Sequence, residues 1–262
     1  MTERRTDQLH IRIYEDKAQL GEAAAAMTAA QIRRLLEQQQ TVNVIFAAAA
    51  SQNEFLEALA GEVLPWGRVN AFHMDEYIGL PDDAPQLFGQ WLKKRIFDKV
   101  PFGNVFYLDG QAADMQEECR RYSALLLQYP VDITCMGIGE NTHLAFNDPH
   151  VADFVDTALV KVVDLDEASK QQQVAEDCFR DVSQVPSFAL TLTIPALLKA
   201  GTVFSMVPGA RKAQAVYHTL TASIETRYPS TILRRHPNAF LLLDKDSAAL
   251  LPDDADVLTK QV

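Results

Sequence analysis

Strand-like and helix-like segments alternate along this chain from about residue 8 to residue 251, and no other feature restricts its fold as much. Short apolar runs joined by helical stretches require crossover connections, which place the strands parallel in one sheet with helices packed on its faces. Leu9 to Tyr14 alternates apolar and polar residues, residues 18 to 39 form a helical stretch rich in Ala, Leu, Gln and Glu, and Val42 to Phe46 is a short apolar strand. Ser51 is expected to N-cap a helix over residues 54 to 62. Strands over 68–74, 104–108 and 131–136 then alternate with helices over 86–98 and 114–128. Farther on, strands are expected at 160–165, 189–193, 203–207 and 239–243, with helices near 167–180 and 211–221. No repeat, linker or composition shift marks a boundary. The expectation is one α/β domain over residues 1–262, Rossmann-like, with a mainly parallel sheet and helices on both faces.

A chain of 262 residues, 48% of them apolar, buries about three quarters of its unfolded surface and needs no metal or disulfide to hold a core. The 24 Lys and Arg against 35 Asp and Glu give a net charge of −11, which repels polyanions, so no nucleic-acid partner is expected. Arg234, Arg235 and His236 form one local basic patch, sized for a single small anion. Cys119, Cys135 and Cys178 are odd in number and widely spaced, which points to a reducing, cytoplasmic setting. The first residues carry no apolar signal segment, and no run reaches about 18 uninterrupted apolar residues, so no membrane partner is expected. His10, His73, His150, His218 and His236 lack metal-ligand spacing, and no metal site is expected. Trp66 and Trp91 read as packing residues.

Ligands of open α/β sheets bind where strands end and loops begin, and three such loops carry chemistry. In FAAAASQN, Phe46 to Asn53, small residues allow close approach to the backbone at a helix start that favours an anion. The plainer reading is a tight turn of alanines capped by Ser51. In FHMDEYIGLP, Phe72 to Pro81, Asp75 and Glu76 follow a strand among apolar neighbours. A carboxylate shielded there has its pKa raised into the range of a general base, while surface turns or ion pairs are the alternative. In MGIGENTHLAFNDP, Met136 to Pro149, Gly137 and Gly139 open a sharp exit. Asn141, His143, Asn147 and Asp148 then gather around the one side chain that titrates near neutrality, with Asp148 placed to fix its tautomer.

These loops resemble those of the glucosamine-6-phosphate deaminase/isomerase family, with its MDEY-GLP segment and its later G-G-DGH-AFNEP segment. Here they read Met74-Asp75-Glu76-Tyr77 with Gly79-Leu80-Pro81, and Gly137-Ile138-Gly139-Glu140-Asn141-Thr142-His143-Leu144-Ala145-Phe146-Asn147-Asp148-Pro149. The similarity continues through Gln184-Val185-Pro186, Ala189-Leu190-Thr191 and Arg211-Lys212-Ala213, covering most of the chain.

The resemblance implies ring opening of a hexosamine 6-phosphate, proton transfer between C2 and C1, and release of ammonia and fructose 6-phosphate without a cofactor. It makes Asp75 the base at C2, His143 the ring-opening group, Asp148 the acid that orients His143, and Asn141 a member of that group. Ala49, Ala50, Ser51, Glu76 and Lys212 become substrate-binding residues, Lys212 holding the phosphate. It also implies a homo-oligomer. Asn141 stands where the family has an aspartate, Thr142 where it has a glycine, Ala49 and Ala50 where it has a glycine pair, and Glu176 where it has an arginine, with Arg180 nearby. A branched residue at 142 implies a backbone that tolerates one. A 6-phosphogluconolactonase-like hydrolase and a noncatalytic sugar-phosphate-binding regulator are the competing readings.

Overall fold

The computed structural model describes residues 1–175 and 178–252. Its strands are β1 (Thr2–Thr6), β2 (Leu9–Tyr14), β3 (Val42–Phe46), β4 (Val69–His73), β5 (Asp75–Tyr77), β6 (Asn104–Phe106), β7 (Ile133–Met136), β8 (Val160–Asp164), β9 (Phe188–Leu192), β10 (Thr202–Val207) and β11 (Ala239–Asp244). Its helices are α1 (Lys17–Leu36), α2 (Asn53–Ala60), α3 (Phe88–Leu92), α4 (Met115–Gln128), α5 (Glu167–Ala175), α6 (Ile194–Leu198) and α7 (Ala213–Thr221).

Strand alternation sorts the core into two layers. Val42, Val44 and Phe46 of β3 join Ala24, Ala25 and Ala29 of α1 on one face, while Ile45 packs on the other with Tyr122 of α4 and Leu197 of α6. The alanine stripe of α1 lets helices approach closely: a Cβ at Gly21 would lie 2.6 Å from Cβ of Glu54 on α2. Side chains of Asp16, Asp114 and Thr193 cap α1, α4 and α6 by accepting from free N–H groups of the first turn.

The main sheet runs β1-β2-β11-β10-β7-β3-β4-β6. It is parallel except for β1, which pairs antiparallel with β2. The mainly parallel α/β fold is therefore as the sequence implied, with several local differences. The polar strand β1, TERRT, is an edge strand with no buried face, and so carries no apolar signal. The strand expected over 68–74 ends at His73, and residues 75–77 leave it to pair antiparallel with β9. Residues 160–164 and 188–192 likewise belong to a second, three-stranded antiparallel sheet ordered β5-β9-β8. The helix expected over 86–98 is one α-helical turn followed by a π-helical turn over Lys93–Phe97. The helix near 167–180 is described to Ala175, and Glu176 lies outside the described residues. Ser51 is no N-cap: it sits within a 3-10 turn, Ala50–Gln52, that leads directly into α2.

Thr142 overturns a further expectation. Its φ is +73°, in the left-handed region, where a β-branched side chain crowds the backbone. Its hydroxyl is buried without a hydrogen-bond partner. The conformation is held from outside, by Thr142 N–H donating to the Gly139 carbonyl and Ser230 N–H donating to the Thr142 carbonyl. A Thr142→Gly variant removes the strain and the orphaned hydroxyl while losing one buried methyl. It is expected to be more stable by about 1 kcal/mol, seen as a melting temperature raised by about 2–4 °C. An unchanged or lower melting temperature contradicts the strain.

Candidate active site

Four neighbouring strands, β10, β7, β3 and β4, send their exit loops to the same end of the sheet, where they wall a cavity of about 380 Å3. Residues 47–51 follow β3, Met74 and Asp75 follow β4, residues 137–139 and His143 follow β7, and Lys212 follows β10. Gln172 and Gln173 of α5, with Trp91 and Arg95, close the remaining wall. From β3 the chain moves outward to β4 and β6, then returns to place β7 on the other flank of β3. The β3 and β7 loops therefore diverge, and a crevice opens between them.

Asp75 is buried at the head of the small sheet, its backbone paired opposite Thr191. Burial, and secondarily the charge of Glu76, push its carboxyl well above the usual carboxylate range. It is the acidic side chain among the cavity-lining residues, and its raised affinity for a proton suits a group that takes a proton and returns it.

His143 is fixed from behind. Its Nδ1 lies 3.0 Å from Oδ1 of Asp148 and 3.2 Å from Oγ of Ser169 on α5. With Nδ1 so engaged, Nε2 is the ring nitrogen left for a ligand. The ring lies directly over Gly139, where a Cβ would come within 2.2 Å of it, so glycine is required there. Asp148, fully buried, also accepts from Nδ2 of Asn141 at 3.0 Å and from the Ser169 hydroxyl. Burial alone would raise its carboxyl, but hydrogen bonds from His143, Asn141 and Ser169, with the His143 charge, hold it well below the carboxylate range. Asn141 also accepts from the His143 N–H through Oδ1, so the amide orders the loop and the carboxylate together.

At another wall the alanines are accommodated without strain. Ala49 has φ −155° and ψ 155°, extended backbone open to any residue, and Ala50 begins the 3-10 turn. Buried Gln52 donates from Nε2 to Ser51 Oγ at 3.0 Å and to the Met206 carbonyl at 3.2 Å, tying the β3 loop to β10. Lys212 sits in a turn after Gly209, whose φ of +94° requires glycine and whose N–H is held by the Asp244 carboxylate.

Asp75, His143, Ala49, Ala50, Ser51 and Lys212 thus share one cavity, with Asn141 and Asp148 directly behind His143. Glu76, expected at the substrate, does not line the cavity. Its carboxylate accepts from the N–H groups of Tyr77, Phe88 and Gly89 and so anchors the start of α3. Alternation along β5 accounts for this, since residue 76 faces opposite to residue 75. Trp91 packs against the core as expected and also forms part of the cavity wall. Arg234 is engaged by Asp7 and the Ala222 carbonyl. Asp148, His150 and Asp166 bring ligand atoms within 4.8 Å of one another, but Asp148 is committed to His143 and His150 to Asp164. Ser169 and Arg95 were not visible as site residues, because neither belongs to a strand-exit loop.

Replacing Glu76 by Gln puts an amide NH2 where two or three N–H groups need acceptors. It is expected to destabilise the fold by about 2 kcal/mol, lowering the urea midpoint without changing the slope. Because the Glu76 charge raises the Asp75 carboxyl, the variant's Asp75 is expected to titrate at lower pH, measurable by NMR of the side-chain carboxyl.

Comparison with known proteins identifies the family. Residues 15–241 match the family of glucosamine-6-phosphate isomerases and 6-phosphogluconolactonases. A glucosamine-6-phosphate deaminase of Bacillus cereus strain G9842 is 34% identical over 187 residues, covering 71% of this chain and 70% of the relative. Among solved structures, a monomeric glucosamine-6-phosphate deaminase superposes with a TM-score of 0.83 at 27% identity, covering 92% of this chain and 99% of the other. A 6-phosphogluconolactonase from Thermotoga maritima shares the fold, with a TM-score of 0.74 at 21% identity over 90% of this chain and all (100%) of the other. With the family match spanning most of its length, this chain belongs to the glucosamine-6-phosphate isomerase/6-phosphogluconolactonase family.

Proposed function

We propose that this chain deaminates a hexosamine 6-phosphate, converting glucosamine 6-phosphate and water to fructose 6-phosphate and ammonia. The observation that carries the reading is the convergence of Asp75 and His143 on one cavity that also holds Ser51 and Lys212. A proton acceptor and a ring-opening group must reach neighbouring atoms of one sugar, and separate cavities would have excluded the reaction.

In this reading Lys212, Ser51 and the backbone of Ala49 and Ala50 bind the phosphate, and that remote binding energy aligns the reacting carbons. Nε2 of His143 moves the proton between the ring oxygen and the C1 hydroxyl, giving the open aldehyde. Asp75 takes the C2 proton, and the electron pair passes to the C1 oxygen, which takes up a proton from the C2 ammonium to give an enolamine. The nitrogen lone pair then forms the C2=N bond as Asp75 returns its proton to C1, and the resulting iminium adds water and expels ammonia. Asp148 and Ser169 keep the His143 ring oriented throughout, as a buried carboxylate does for an imidazole. Asn141 supplies hydrogen bonds but no proton, so proton exchange at ring opening falls to His143.

A second reading, lactone hydrolysis on a 6-phosphogluconolactone, is favoured by the His143–Asp148 pair, because that pair suits activation of water and has no need of Asp75. Ammonia release from glucosamine 6-phosphate, measured beside lactone hydrolysis, separates the two. An Asp75→Asn variant is expected to lose about 10^2–10^4-fold in deamination, and equal rates in both proteins would remove Asp75 from the mechanism.

The raised Asp75 carboxyl also sets a pH dependence. The base must be ionised, so kcat/KM falls as pH drops through the raised pKa, at a pH above that of an ordinary carboxylate. Stability runs the other way. The folded state binds this proton more tightly than the unfolded chain, so the contribution is full below about pH 4 and is lost as pH rises toward the folded pKa. Asp75→Asn is therefore expected to be more stable than the parent at neutral pH, with the difference shrinking in acid. Chemical denaturation at several pH values reads it directly.

A further inference from the structure

Arg95 enters the cavity from the π-helical turn that follows α3. The turn is marked by Asp98 N–H donating to the Lys93 carbonyl, five residues back. Such wide turns shift the following side chains around the helix axis and recur at functional sites. Cζ of Arg95 lies over the Trp91 ring, 3.7 Å from the ring centre, and Trp91 is itself a wall residue. Its Nε donates to Oδ1 of Asn53 at 2.7 Å. Asn53 is the first residue of α2 and directly follows the 3-10 turn that carries Ala50 and Ser51.

These contacts fix the plane and direction of the guanidinium yet use only one of its five N–H groups. Among the described residues no carboxylate lies within ion-pairing distance of Arg95, and burial lowers its pKa from the ordinary value. A partly desolvated cation held rigidly and left without a counter-charge is arranged for an anion from outside. The remaining guanidinium N–H groups offer a planar fork that matches two oxygens of a phosphate at once.

We propose that Arg95 is a specificity-determining residue that binds the phosphate oxygens of the substrate, clamping the phosphomonoester between itself and Lys212. The inference rests on the sugar-phosphate reading of the cavity. It goes further by naming a cation outside the strand-exit loops as a phosphate ligand. Asn53 and Trp91 are its positioning residues.

The test begins with inorganic phosphate, titrated calorimetrically into the intact parent protein and into Arg95→Ala, Arg95→Lys and Arg95→Gln variants. Binding by the parent is expected to weaken at least about tenfold in Arg95→Ala and Arg95→Gln. Lysine is expected to restore only part of it, since it lacks the planar fork. Arg95→Gln keeps much of the side-chain volume, and covers the case in which the alanine variant does not fold. With glucosamine 6-phosphate as substrate, KM is expected to rise at least about tenfold and by more than kcat falls. Parent-like phosphate affinity in the folded Arg95 variants overturns the proposal, as does a parent protein that fails to bind phosphate. If phosphate binding depends on Arg95 but no ammonia is released, only the deaminase reading falls.

Discussion

The site depends on one topological constraint, the reversal of strand order at β3. The chain builds β3, β4 and β6 in one direction and then places β7 on the opposite flank, so the loops after β3 and β7 part above the sheet. A parallel sheet cannot fill that gap with its own backbone, and the chain fills it with side chains. Gln52 spans it at the base, hydrogen-bonding Ser51 and the Met206 carbonyl, and a Cβ at Gly137 would press on both Gln52 and Ser51 at 3.3 Å. The floor of the crevice is thus closely packed around Gln52.

Within it, two aspartates are driven apart in proton affinity by their surroundings. Asp75 is buried next to a second carboxylate, and among the described residues no side chain donates to it, so its affinity for a proton is raised. Asp148 is as inaccessible but accepts from His143, Asn141 and Ser169, and stays ionised. The contrast comes from donors, not depth. A pair so separated suits the proposed division of labour, one acid exchanging protons and the other holding an imidazole in place. Glu76 contributes to both fold and chemistry: its charge is satisfied by backbone N–H groups at the start of α3, and the same charge works against ionisation of Asp75.

Where the sequence was legible, the reason is periodicity and punctuation. The parallel strands are buried on both faces and read as apolar runs, and Gly137 and Gly139 mark the β7 exit. Asp75 and His143 stand out because strand ends are where ligands collect, whereas Lys212 is singled out only by the family resemblance. Other features depend on contacts far apart in sequence. Strands β8 and β9 look like members of the main sheet, since pairing partners leave no mark on local alternation. Ser169 is an ordinary helix residue until α5 docks over the loop carrying Asp148. Arg95 looks like one more solvent-facing cation of an amphipathic helix, and only the π-helical turn with the Trp91 stack directs it inward. The positive φ of Thr142 was hidden for a different reason: residue type biases backbone conformation but does not set it, and tertiary hydrogen bonds prevailed.

That strain has a structural logic. The loop from Gly139 to Asp148 carries two non-glycine residues at positive φ, Thr142 at +73° and Ala145 at +50°, on either side of His143. A loop free to relax would not keep both. It is pinned along its length by bonds to other elements: Ser230 N–H to the Thr142 carbonyl, Phe146 N–H to Thr191 Oγ1, and Asn147 Nδ2 to the Leu192 carbonyl. Two of these anchors, Thr191 and Leu192, lie on β9, the strand that also pairs with β5 and sets the backbone of Asp75. The second sheet therefore positions the imidazole and the carboxylate from one strand. The proposed passage of a proton between adjacent carbons demands that kind of shared anchoring, because misplacement of about 1 Å is enough to lose about 10^2-fold in rate.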